Sequence, residues 1–427
     1  MKVIDNGKLN IAKRSIFEWL TLCLFLMPFF FPTLQEFLGI PSIIRYTLDI
    51  VWVSITVFLL FRNKIELDKR LIPFFILICC FIIYTVIIYL FNFQSPIYYL
   101  WGFRNNFRFY FAFIAFSMFC CEEDAEKCLK FMDILFWINA DVSVFQFFVL
   151  GYQQDFLGGI FGVERGCNGY SILFFSIVIS KSVLRFMRKE EHLFNCGAKC
   201  AVALIISSMA EIKYFFILFM IIILLSAGMT SFSWRKMVLI FVFALIIAFA
   251  GSLLTLFHGE NSNVSIERIL ELAFTSNYSS GKDLSRLFAI PTISNDIMTN
   301  NMQRLFGFGL GNCDASSFQI CNTPFFEKYS YLHYNWFSNA FMFLETGIVG
   351  FLIYLSFFVM CFVYAFKRQK ENGTNSFYCQ MASIISVICI FVVFYNASLR
   401  TEAGYMAYFV LALPIISEKS EMHLKIS

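Results

Sequence analysis

Charge is scarce in this chain. Asp, Glu, Lys and Arg make up 15% of its 427 residues, whereas 59% are hydrophobic and mean hydropathy is +0.71. A soluble domain of this length carries far more charge, which excludes a soluble fold. Histidine is rarer still, with four residues: His192, His258, His333 and His423. The 14 cysteines fall mostly in apolar runs or at their ends, and Cys79–Cys80 and Cys120–Cys121 are adjacent pairs. None is grouped with His at zinc spacing, so neither a metal nor another cofactor is expected. No Gly-rich loop ends in Gly-Lys-Ser/Thr, which argues against a nucleotide phosphate site. The basic residues flank apolar runs instead of interleaving with aromatics in a polar patch, so nucleic acid is not an expected partner. Internal repeats are missing as well, which counts against a transporter built from duplicated halves.

What the chain has is long apolar runs, several beyond the ~18 residues that suffice to cross a bilayer. Twelve spans are expected, at 16–38, 42–61, 71–92, 107–121, 129–151, 169–187, 198–210, 212–230, 236–257, 335–366, 377–397 and 403–417. The first is read as an anchor, because it is too long for a signal peptide, contains Pro28 and Pro32, and lacks a small-residue cleavage site. The stretch 198–230 is divided at Glu211 and Lys213, where two charges interrupt it. With the N-terminus inside, most of the 33 Lys and Arg residues fall in cytoplasmic segments, among them Lys2, Arg14, Arg62, Lys69, Lys181, Arg188, Lys199, Arg235, Lys367 and Lys419. The expected fold is therefore an all-α polytopic integral membrane protein with about twelve spans and both termini in the cytoplasm.

One connection is far longer than the others. Residues 258–334 separate the ninth and tenth spans on the outer side, and amphipathic pieces such as SIERILELAF alternate there with Gly-rich turns. Loops of that length are functional or disordered, and this composition predicts a folded cap of short helices. The outward basic residues are Arg104, Arg108, Arg165, Lys213, Arg268, Lys282, Arg286, Arg304, Lys328 and Arg400. Guanidiniums in a partly dry cleft bind phosphates through two parallel hydrogen bonds. Solvated loop charge explains Lys282, Lys328 and Arg304 more simply, while Lys213 has Glu211 as a possible partner. The turn LFGFGLGN carries Gly307, Gly309 and Gly311, suited to a tight turn or to close backbone approach to a ligand. His333 lies where the cap re-enters the membrane, and its neutral-range pKa suits proton transfer. Asn335 follows it, and Glu345 sits inside the next apolar run, where an ionisable group is expensive and marks function. Cys313 and Cys321 share the cap, either as a disulfide or as two free thiols.

These pieces form an ordered pattern: DFLGGIFG, SSMAEIKYFF, a long outer loop, LFGFGLGN, LHYNWF and LETGIVG. The pattern resembles the O-antigen polymerase and ligase superfamily (Wzy-type) over roughly residues 100–415. That resemblance implies a C-type glycosyltransferase membrane fold and metal-independent catalysis at the outer face of the bacterial inner membrane. It implies an oligosaccharide donor on undecaprenyl pyrophosphate, with a chain-length regulator as a possible protein partner. Arg286 and Lys213 would hold pyrophosphate, and Arg268, Arg104, Arg165, Asn335 and Glu345 would line the pyrophosphate or glycan site. His333 would take the proton from the acceptor hydroxyl. Where many ligases carry Ser-Arg-Gly, this chain has Ala210-Glu211-Ile212-Lys213, which tilts the expectation to a polymerase that builds O-antigen, capsule or exopolysaccharide. The alternatives are a ligase that transfers glycan to lipid A-core and, more distantly, a flippase for the lipid-linked unit.

Overall fold

Ten long helices make up most of the described part of the chain. The computed structural model describes residues 16–41, 43, 44, 46, 49, 69–230, 234, 237, 278, 279, 283–314, 319–370 and 376–426. The long helices are α1 (Ile16–Leu38), α2 (Ile72–Phe91), α3 (Pro96–Phe119), α4 (Glu122–Phe148), α5 (Asn168–Met187), α6 (Leu193–Met209) and α7 (Lys213–Met229). Three short helices follow, α8 (Ala289–Asp296), α9 (Asn301–Phe306) and α10 (Pro324–Tyr329). The last three long helices are α11 (Ser338–Arg368), α12 (Ser376–Tyr395) and α13 (Ala403–Ile426). The described strands are two residues each, β1 (Tyr278–Ser279) and β2 (Asp283–Leu284), paired antiparallel with Tyr278 opposite Leu284. Among the described residues, α2, α5, α11 and α12 are long and apolar enough to cross a membrane. Shorter apolar stretches occupy Thr21–Glu36, Leu193–Met209, Lys213–Met229 and Ala403–Ser417.

Two expected spans, 42–61 and 236–257, lie outside the described residues apart from isolated positions such as Tyr46 and Asp49. The span expected at 107–121 is corrected: α3 begins at Pro96. Proline at the first helical position needs no hydrogen bond and has φ preset for a helix, so the helix starts there and carries Arg104, Asn105, Asn106 and Arg108 within it. The stretch 198–230 is two helices, because Ala210 closes α6 and Glu211 turns the chain with φ +54° before α7.

Phenylalanine supplies 58 residues, and the core uses them as interlocking plates. Tyr110 of α3 meets Phe357 of α11 edge-on at 4.8 Å, and Phe357 stacks on Tyr408 of α13 at 5.4 Å. Lipid tails are as apolar as these rings, so contact geometry holds the helices together more than escape from water does. Residues 283–344 build a second, smaller core around Leu284, Ile293, Met298, Leu332, Phe341 and Leu344. This core seats the short helices on the first turns of α11, at the end of the bundle hereafter called the cap end.

Candidate functional site

The opening turns of α11 are separated from its remainder by a break. Gly347 has φ 62° and ψ −171°, a region open essentially to glycine alone. Such a break frees carbonyls that nothing in lipid would satisfy. Here each finds a donor. Phe308 N–H donates to Leu344 O at 2.8 Å and Gly309 N–H to Glu345 O at 2.9 Å, while Tyr84 Oη of α2 donates to Thr346 O at 2.7 Å. The donors at 308 and 309 belong to the glycine turn, where Gly307, Gly309 and Gly311 have φ +76°, +100° and +84°. A Cβ on Gly307 would lie 2.5 Å from the carbonyl carbon of Glu345. The group that approaches this turn at Gly307 is the backbone of α11.

Glu345 is fully buried beside that junction, and its Oε1 accepts from Cys313 N–H at 3.3 Å. Next to it, Asp314 faces Arg400 at 3.8 Å and accepts from Asn105 Nδ2 at 2.6 Å. Asn105 in turn accepts from Arg104 Nη1 at 2.7 Å, and Arg104 pairs with Asp49. Arg108 bridges Asp49 at 2.8 Å and Glu402 at 3.0 Å, with Tyr405 Oη donating to Asp49 and Tyr170 Oη to Glu402, each at 2.7 Å. A continuous and mostly buried network, half-exposed at Asn105, thus runs from Asp49 to Arg400, and Arg104 is bound into it. Arg104 is a member of that internal network and is not presented to an open cleft. Burial pulls the Arg400 guanidinium below its usual pKa, against the opposing pull of Asp314 and Glu345. Burial also pushes the Cys313 thiol and the Tyr334 hydroxyl up. Tyr334 Oη donates to Cys313 O at 2.6 Å. Cys313 and Cys321 are both free thiols, and the raised Cys313 has no thiolate character at neutral pH.

The other expected residues converge on the rim of the cap end. His333 holds a left-handed conformation (φ 52°, ψ 30°) between two 3₁₀ turns and stacks on Trp336 at 4.0 Å. Arg165 lies over the same Trp336 ring at 4.8 Å. Arg286 lies over Tyr395 at 4.1 Å, and Tyr395 stacks on Tyr214 at 4.0 Å with ring planes 5° apart. Lys213, beside Tyr214, is paired with Glu211 at 2.9 Å, as its sequence neighbourhood suggested. Four hydrogen bonds lock these segments together. Asn168 Nδ2 donates to Ala210 O at 3.4 Å, Ser398 Oγ to Gly169 O at 2.7 Å, Ser338 N–H to Asn396 O at 3.2 Å, and Asn339 Nδ2 to Arg286 O at 3.0 Å. Asn335 is half-buried within the turn that presents Trp336. Arg268 lies outside the described residues.

The structure thus gathers Arg165, Lys213, Arg286, His333 and Asn335 at one rim, and holds Arg104 and Glu345 inside. Sequence reasoning missed Asp49, Glu402, Trp336, Tyr214 and Tyr395. An acid within the apolar run 42–61 was the available signal for Asp49. The aromatics had none, since aromatic residues make up 19% of the chain. No protein-family model matches this chain, and no curated protein is significantly similar to it.

Proposed function

We propose that this protein is a Wzy-type polymerase with a twelve-span C-type fold, set in a bacterial inner membrane with its cap end outward and both termini in the cytoplasm. It would join oligosaccharide repeat units carried on undecaprenyl pyrophosphate, with a chain-length regulator as partner. The observation that carries this reading is the rim itself: exposed Arg165 over the ring on which His333 stacks, and exposed Arg286 over Tyr395. An acceptor hydroxyl oxygen attacks the anomeric carbon of the donor sugar. The bond from that carbon to phosphate oxygen breaks, lipid pyrophosphate departs with the electron pair, and the hydroxyl proton passes to His333. Diphosphate leaves readily once its charge is neutralised, so fixed cations supply the main stabilisation. Aromatic faces suit the C–H-rich faces of pyranose rings. Lys213, compensated by Glu211, contributes less positive charge than either arginine.

The test is a gel of surface polysaccharide from a deletion strain complemented with wild type, His333→Ala or Arg286→Ala. The expected result is a ladder restored by wild type and lost with His333→Ala, whose rate falls by ~10²-fold or more as for a missing general base. Long polymer retained on the lipid carrier but absent from lipid A-core would instead mean a ligase. Lipid-linked units stranded on the cytoplasmic side would mean a flippase.

A further inference from the structure

Cap-end arginines fall into two kinds. Arg104, Arg108 and Arg400 are drawn into the bundle, and each faces a carboxylate: Asp49, Asp49 with Glu402, and Asp314. Arg165 and Arg286 are exposed, and among the described residues neither guanidinium meets a carboxylate. Each lies on an aromatic ring instead, Arg165 on Trp336 at 4.8 Å and Arg286 on Tyr395 at 4.1 Å, with Phe337 a further 5.7 Å neighbour of Arg286. Trp336 and Phe337 are consecutive, so both cations rest on one short segment. Two groups cannot occupy the same face of Tyr395 at about 4 Å, so Tyr214 and Arg286 sandwich that ring. Trp336 has a second partner too, since the His333 ring stacks on it with planes 22° apart.

A guanidinium laid flat on a ring keeps its N–H edges free in its own plane. Those edges form the fork that binds a phosphate through two hydrogen bonds. A ring also restrains the guanidinium without neutralising it, as a carboxylate would. We infer that Trp336 and Tyr395 are positioning residues that hold Arg165 and Arg286 as the two arms of a phosphate-class anion site. Trp336 in addition holds the His333 ring on the same platform. The identity of the anion as a diphosphate ester rests on the proposed function. The existence of the site does not.

The experiment is calorimetric titration of the full-length protein in detergent with inorganic pyrophosphate. Trp336→Leu and Tyr395→Leu are each expected to weaken binding ~5-fold, the loss of one stacked cation contact. Trp336→Phe and Tyr395→Phe keep a ring and are expected to stay within ~2-fold of wild type. Arg304→Ala is the control, because its guanidinium is held by Ser294 O and Asn301 within the cap. In a polymerisation assay both Leu variants lower kcat, because the cations they position stabilise the departing diphosphate, and Trp336→Leu lowers it further through His333. Failure of wild type to bind pyrophosphate, or equal loss in the Leu and Phe variants, overturns the site. Ring-dependent binding with an unchanged polysaccharide profile leaves the site standing and removes the polymerase reading. Loss of the ladder in Arg286→Ala with binding indifferent to the rings does the opposite.

Discussion

Arg108 sits where burial makes a charge costly, and it satisfies two carboxylates there at 2.8 and 3.0 Å. Its Nη2 also donates to Arg400 O at 3.0 Å, which ties α3 to the turn before α13. Replacement by Leu removes the cation facing Glu402 and leaves Asp49 with Arg104 as its one cation among the described residues. Losses of ~3–5 kcal/mol are usual for one partner removed from a buried pair, so Arg108→Leu is expected to lower the thermal midpoint sharply in detergent. Lys127→Ala offers the contrast. Its pair with Glu123 is solvent-exposed along one helix face, and the midpoint is expected to stay where it is, within ~0.5 kcal/mol. At this scale the sequence was half readable. His333, Arg165 and Arg286 could be named because they are ionisable residues in apolar or outward surroundings. Arg104 looked the same in sequence, and only the fold distinguishes a cation held by Asp49 from one laid on a ring. Trp336 and Tyr395 could not be chosen among so many aromatics, because their roles depend on which ring a guanidinium covers.

Elements were more legible where chemistry interrupts a run. The turn between α6 and α7 follows from charged Glu211 and Lys213, which a continuous helix would bury in lipid. The start of α3 was misjudged, because the network that accepts Arg104 and Arg108 inside the helix cannot be seen in one segment. The break in α11 was illegible for a related reason: Gly347 breaks a helix only because donors from residues 308, 309 and 84 wait for the freed carbonyls. Gly347→Ala is expected to be severe, since a methyl group there would enter the backbone of Leu305 and Phe306 in a conformation alanine rarely adopts. Stable full-length protein recovered after detergent extraction should fall well below wild type. Gly197→Ala, within α6 and with open space around it, should be neutral or stabilise by ~0.5–1 kcal/mol in a thermal melt.

Over the whole molecule, helix alternation sends residues 93 and 194 to opposite ends, and both side chains are open, at 95% and 83% exposure. Single cysteines at Phe93 and Phe194, in a background with exposed Cys23, Cys80 and Cys121 replaced, are expected to react with membrane-impermeant maleimide from opposite sides. In intact spheroplasts the reagent should reach position 93 and not 194; the reverse would invert the proposed orientation. The plug of Gly307–Gly309 in the α11 break governs how this machine can move. Lifting the cap there would bare the carbonyls of Leu344 and Glu345 at membrane depth, at several kcal/mol for each group left unsatisfied. The cap is therefore a roof bolted to its wall and not a door, and the lipid-linked donor of the proposed function would have to enter sideways, beneath the eaves.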